Sequence, residues 1–285
     1  MPTSSERLRA VAWATVLCSV ISAVGAGAWT ALIGTNLATT PRVPWAIPTM
    51  AVVLWSMWQY LGGRGWPGTT SSSRHALLRA KRVSRPVLAW SLLAGACSVV
   101  ALAGFWIVLV DLVGVGGNPT IPDYARYPPL TVVLGLLMGS LVSPLTEEAA
   151  FRGYAQVRLE RAFPAWAAIG IASVLFSLWH GPTQGFVWPK LLFYAVVGVA
   201  FGVTATLTDS TLPAIPAHIL GDITFFFLVW PNDAARPVVW RDGADAWFAV
   251  HVVQMVVFTG LAILSFRRLA RLGSATRVPG TQAQA

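Results

Sequence analysis

Long apolar runs separated by short polar stretches dominate the chain. About 20 consecutive apolar residues are needed for a helix to cross the hydrocarbon core of a bilayer. Runs near that length predict eight helices: Arg9–Ile33, Ala46–Leu61, Pro86–Val113, Leu130–Phe151, Ala165–His180, Leu191–Thr208, Leu212–Trp230 and Ala246–Phe266. The second and fifth are the shortest. Only Asp209-Ser210-Thr211 separates the sixth from the seventh, so seven helices is the alternative count. The expected fold is an all-α polytopic membrane helix bundle of about eight transmembrane helices. Arg7 and Arg9 ahead of an apolar run, with Ala26-Gly27-Ala28 after it, look like a signal peptide. The run continues to Ile33, however, which favours an uncleaved first helix.

Composition supports this picture. The chain is 55% hydrophobic and 11% charged, where a soluble protein has about 25% charged residues. No soluble-looking stretch reaches the size of a domain. The net charge of +9 invites a nucleic-acid partner, but the basic residues sit in loops between apolar runs, where they orient helices by the positive-inside rule. With the N-terminus inside, inner segments hold 15 of the 20 Lys and Arg residues, and outer ones hold Arg42, Arg126, Lys190, Arg236 and Arg241. Both termini are thus expected in the cytoplasm, in the plasma membrane if the chain is bacterial. The lipid bilayer is then a partner and nucleic acid is not. Residues 1–128 are expected to form the N-terminal helices, with a mobile basic cytoplasmic loop at 64–85 on the anionic leaflet. Residues 231–272 form the last loop and helix, and 273–285 a disordered polar tail. Trp45, Trp66, Trp188, Trp230, Trp240 and Trp247 fall near span ends as an aromatic belt. Cys18 and Cys97 lie in apolar spans and read as small core residues. No internal repeat suggests a transporter with inverted halves.

Ionisable residues inside apolar runs are costly near lipid, and therefore stand out. Thr146-Glu147-Glu148-Ala149-Ala150-Phe151-Arg152 places two carboxylates and a guanidinium within six positions. On a helix, Glu148 and Arg152 are one turn apart on one face and can pair, while Glu147 points about 100° away. One acid is neutralised and the other is free to act as a base. The plainer reading is the wet end of a helix. Phe176-Ser177-Leu178-Trp179-His180 ends its span in a histidine before Gly181-Pro182, and an interfacial side chain is the plain reading there. His218 and Asp222, also one turn apart, lie inside a span. They can converge on an ion or water, or Asp222 can orient the ring of His218.

Together these residues make a hydrolytic set. Zinc takes imidazole and carboxylate ligands and keeps a position open for water, whose proton a nearby carboxylate accepts. Without metal, Glu147 and a histidine could activate water directly. Neither a Gly-x-Ser-x-Gly elbow nor a His-Glu-x-x-His motif occurs in the chain, which argues against a serine hydrolase and a soluble-type zincin.

Three motifs in order, Glu147-Glu148-x-x-x-Arg152, Phe176-x-x-x-His180 and His218-x-x-x-Asp222, resemble the signature of the CPBP family. This is the CAAX protease and bacteriocin-processing (Abi) group of intramembrane proteases. The resemblance covers about Leu130 to Trp230, so residues 129–230 are expected to be the protease core. It implies a peptidase of the CAAX prenyl protease type, with Glu147 as base and Glu148 with Arg152 as its support. His180, His218 and Asp222 are implied as ligands of a divalent metal, zinc, or as oxyanion stabilisers. Related prenyl-protein proteases carry Asn where this chain has Asp222, and an aspartate favours a cation over donation to an oxyanion. The implied substrate is a peptide or membrane protein, CAAX-type and prenylated or otherwise. The rival readings are a non-enzymatic membrane immunity or partner protein of the same family and a proton- or ion-coupled transporter. The sequence is silent on oligomeric state.

Counting leaves one conflict. From Leu130 to Glu147 is about 25 Å of helix, which puts the acids near the inner surface and His180 near the outer one. A common site then requires breaks, and Pro144, Gly181-Pro182, Pro189, Pro213 and Pro216 are the candidates. His251 and His75 read as a polar contact and a solvated loop residue, and Asp111 and Asp209 as span-boundary residues.

Overall fold

A computed structural model describes residues 2–114 and 124–276. Every regular element among them is helical. Apart from short 3₁₀ helices at Gly68–Thr70, Tyr124–Arg126 and Trp230–Ala235, these are in order α1 (Ser4–Thr39), α2 (Ala46–Leu61), α3 (Ser71–Leu78), α4 (Arg85–Val113), α5 (Pro129–Glu147), a π-helical stretch (Glu148–Ala155), α6 (Gln156–Glu160), α7 (Ala165–Gln184), α8 (Trp188–Thr208), α9 (Ala214–Thr224), a second π-helical stretch (Phe225–Val229), α10 (Val239–Asp242) and α11 (Ala246–Thr276). Local chemistry sets several ends. Thr3 and Glu6 cap α1 reciprocally. Pro lies in the first turn of α4, and Gly114, at φ +68°, ends it.

Seven of these helices are long and apolar enough to cross a membrane, with α5, its π stretch and α6 forming one of them, Pro129–Glu160. The expected second span, α2, has 16 residues and is the one that falls short. Valines such as Val20, Val24, Val253 and Val256 point outward, as in a bundle whose exterior meets lipid. The protein is an integral membrane protein.

Three sequence expectations are corrected. First, the segment 64–85 is folded. The Arg74 guanidinium donates to the carbonyls of Tyr60 (2.6 Å), Arg64 (3.0 Å) and Gly65 (3.0 Å), and the residue is buried. Arg79 is also buried and bridges Glu160 (3.0 Å) and Asp209 (2.9 Å). The composition looked mobile because its arginines were counted as solvated charges, whereas these two bind carbonyls and acids within the fold. Second, neither Pro144 nor Gly181-Pro182 breaks its helix; α5 and α7 run through them. Third, α11 extends past Gly273 to Thr276, and the remainder of the expected tail lies outside the described residues.

Small residues let the helices around the site approach closely. A Cβ on Gly95 of α4 would lie 2.4 Å from the Ala217 Cβ of α9, and one on Gly198 of α8 would lie 2.8 Å from Ser173 Cα of α7. Gly25 of α1 meets the Thr146 side chain of α5 in the same way, at 2.3 Å.

Candidate active site

The depth conflict disappears because the apolar run understates its helix. The backbone continues from Pro129 to Glu160, so about 20 Å of helix lies beyond Glu147. The Glu pair therefore stands inside the bundle. His180 is 15 residues into α7, about 22 Å from its start, and reaches the same level. His218 is only one turn into α9, so α9 must begin deep in the bundle. The folded segment after α3 makes this possible. The Thr211 N–H donates to the Arg79 carbonyl (3.1 Å), the Thr211 hydroxyl to that of Leu78 (3.1 Å), and the Ser210 hydroxyl to that of Lys81 (2.6 Å). The start of α9 thus rests on protein carbonyls, as backbone at membrane depth must.

At this level the sequence-predicted residues meet. Glu148 is fully buried and pairs with Arg152 at 3.1 Å. Its other partner is His218, whose Nδ1–H donates to Glu148 Oε1 at 2.8 Å. The Arg152 guanidinium lies 4.3 Å from the Phe176 ring centroid and 5.3 Å from that of Phe201, a cation–π setting that compensates in part for lost water. Glu147 turns the other way. Its Oε1 is 3.8 Å from His180 Nε2, and its Oε2 is 3.7 Å from His218 Nε2. Asp222 Oδ1 is 3.7 Å from His218 Nε2. The ring of His180 is fixed by donation from Nδ1–H to the Phe176 carbonyl at 2.8 Å and by stacking on Tyr194 at 3.7 Å between centroids. Phe201 stacks on His218 at 4.6 Å. All six expected residues, Glu147, Glu148, Arg152, His180, His218 and Asp222, therefore belong to one cluster.

Each imidazole is held through Nδ1, which turns Nε2 toward Glu147. A neutral ring accepts a hydrogen bond there, and a charged one donates. Glu147 Oε2 and Asp222 Oδ2 are buried without a hydrogen-bond partner in the protein. Separations of 3.7–3.8 Å are too long for direct hydrogen bonds and suit a group shared between the side chains, such as one water. Among the described residues, no three His, Cys, Asp or Glu side chains stand in an arrangement that could hold a metal ion. Glu148 is already engaged by Arg152 and His218.

The cluster opens into a cavity of about 690 Å³ whose walls include Glu147, His180, His218 and Asp222 at one end and Trp29, Ile33, Leu136, Phe226 and Trp230 farther along. Residues the sequence reading missed also contribute. Ser143, one turn before Glu147, lies beside both Glu147 and Asp222, and its i−4 spacing was a usable signal. Tyr194 and Phe201 come from α8, where nothing in the local sequence marks them. Outside the cluster, His251 bonds Gln254 (3.0 Å) and His75 is exposed. Cys18 and Cys97 are buried and free.

Residues 129–224 match the family described as type II CAAX prenyl endopeptidase, Rce1-like. The three-motif resemblance is thereby borne out, and the matched segment holds every member of the cluster. No curated protein and no solved structure matches the chain.

Proposed function

We propose that this integral membrane protein, whose residues 129–224 form a domain of the CAAX protease family, is an endopeptidase in which Glu147 activates a water shared with His180 and His218. The observation that supports it is the approach of both imidazole Nε2 atoms to the two oxygens of one carboxylate, at 3.8 and 3.7 Å. In this reaction Glu147 takes a proton from water as the water oxygen attacks the scissile carbonyl carbon. The C–N bond then breaks, and the proton passes from Glu147 to the leaving nitrogen, so one water yields one acid and one amine. The two rings differ in what holds them. His180 rests on a neutral carbonyl and shares the water with Glu147. His218 rests on the Glu148 carboxylate and is suited to carry positive charge opposite the developing oxyanion. Arg152 compensates the charge of Glu148 and keeps it in place.

Substrate and topology follow the same reading. The cavity continues from Glu147 along apolar walls, which suits a membrane-embedded peptide or protein, CAAX-type with a prenyl chain. Although short, α2 returns the chain to the side where α1 begins, because the start of α1 and Arg79 both meet the end of α6. The chain then passes eight times, the seven long spans and α2, and both termini face the cytoplasm, where most basic residues lie.

The test uses protein purified and reconstituted in liposomes, with prenylated and unprenylated CAAX-type peptides and a transmembrane peptide as substrates. Glu147→Gln is expected to lose about 10²–10⁴-fold in cleavage while keeping its helical content. Asp222→Asn separates the two roles considered for that position. If Asp222 serves beside the oxyanion, the amide supports cleavage at least as well; if it ligates a cation, cleavage falls and chelation abolishes it in the parent protein. Undiminished proteolysis by Glu147→Gln would overturn the proposal.

A further inference from the structure

A second concavity, of about 640 Å³, lies where α1 begins and α6 ends, and its walls include Glu6, Arg9, Trp13, Arg158 and Arg161. It is separate from the cavity at Glu147, and the proteolytic reading does not use it. Three guanidinium groups share this groove with a single acid. The Glu6 carboxylate is already engaged, accepting from the Thr3 N–H (2.7 Å) and hydroxyl (3.0 Å). Arg9 donates to Ser5 Oγ, a neutral partner, at 3.0 Å. None of the ion pairs among the described residues engages Arg9, Arg158 or Arg161. Arg158 and Arg161 are close enough to repel each other, and the buried Arg158 Nε has no hydrogen-bond partner. Charges gathered in this way call for an anion.

The surroundings indicate which anion. Trp13, 53% exposed, lies 5.8 Å from the Arg158 guanidinium, measured to its ring. An exposed Trp beside Arg is the usual arrangement at the level of lipid headgroups. Below it on α1, Val16 and Val20 are exposed at 50% and 56%. At three and four residues' spacing they continue one stripe from Trp13 along the helix. A cationic groove thus opens directly onto an apolar track.

We propose that this groove binds the phosphate headgroup of an anionic phospholipid, with an acyl chain lying along Trp13, Val16 and Val20. The basic groove supplies the charge complementarity, and the stripe distinguishes a lipid from a free phosphate. Because Arg158 and Arg161 follow closely on the helix that carries Glu147, an occupied groove would fix the lower end of that helix.

The experiment places full-length protein in phosphatidylcholine nanodiscs with spin-labelled phosphatidylglycerol or spin-labelled phosphatidylcholine, and reads the motionally restricted fraction by electron paramagnetic resonance. The parent protein is expected to prefer phosphatidylglycerol. Arg161→Gln should weaken that preference about fivefold, the effect of one basic residue near a charged surface. The triple variant Arg9→Gln, Arg158→Gln, Arg161→Gln should reduce it to the phosphatidylcholine level, while the corresponding triple Lys variant keeps most of it. Arg241→Gln, outside the groove, should leave it unchanged. Equal restriction of the two lipids in the parent protein, or an unchanged preference in the single and triple Gln variants, would overturn the proposal. Displacement by excess inorganic phosphate would also overturn it, by showing a free-anion site.

Discussion

Glu147 and Glu148 are adjacent in sequence and differ in everything that matters to chemistry. Glu148 is held by Arg152 at 3.1 Å and His218 at 2.8 Å, with no exposed surface. Glu147 faces two Nε2 atoms across 3.7–3.8 Å. One acid is held by two charged or polar partners, and the other keeps an oxygen without a hydrogen-bond partner. Removing one partner of a buried pair leaves the other charge uncompensated, which costs about 3–5 kcal/mol. Glu148→Ala is therefore expected to destabilise the protein by roughly that amount, seen as a lower midpoint in thermal unfolding in detergent, and to release the ring of His218. An unchanged midpoint would show that Arg152 finds another partner. The i, i+4 spacing made the Glu148–Arg152 pair legible in the sequence. The bond from Glu148 to His218 spans 70 positions, and no local pattern encodes it.

At the scale of elements, two features set the site: the helix from Pro129 to Glu160 and the deep start of α9. Hydropathy located the first well at its apolar end and misplaced its other end. Glu147, Glu148, Arg152 and Gln156 are buried inside the bundle, but a composition window reads them as the edge of the membrane. The π-helical stretch Glu148–Ala155, a form that often marks functional sites, has no sequence signature that the reading could use. The seat of α9 depends on close packing against α4. Gly95→Val would press a branched side chain into Ala217, whose Cβ is 2.4 Å from the position of an added Cβ. Overpacking of this kind costs about 1–3 kcal/mol. Because Ala217 adjoins His218, proteolysis should fall by more than the loss of folded protein accounts for. Normal turnover per folded molecule would contradict this.

For the molecule as a whole, the segment from α3 to α4 acts as a clasp. Arg79 and Lys81 both engage Asp209, and Arg79 also reaches Glu160, joining the ends of α3, α6 and α8. Burial raises the Asp209 carboxyl's pKa, but hydrogen bonds and charge from Lys81 and Arg79 outweigh it and hold it below the ordinary value of 3.8. A carboxyl with a depressed folded value stabilises the fold above its unfolded value and loses that contribution as pH falls through the folded one. The difference in unfolding midpoint between the parent protein and Asp209→Asn should thus be constant near neutral pH, begin to shrink as pH drops through about 3.8 and vanish only below the lower folded value. A difference independent of pH would assign the clasp to shape rather than charge. Sequence alone gave this segment the wrong character, since a run of Arg, Gly and Ser reads as solvated until its carbonyl and carboxylate partners, up to 130 positions away, are known. The all-α membrane class and the membership of the cluster were both legible, because apolar length and misplaced charge are local signals.

Whether Glu147, His180 and His218 act on one shared water can be read from a mutant cycle. Cleavage of one reconstituted substrate would be measured for Glu147→Gln, His180→Ala and the two combined, each checked for helical content. Groups that work as a unit are strongly non-additive. Each single change is expected to cost about 10²–10⁴-fold, and the double variant to be no worse than the poorer single one. Losses that multiply in the double variant would show two independent contributions and contradict the shared water.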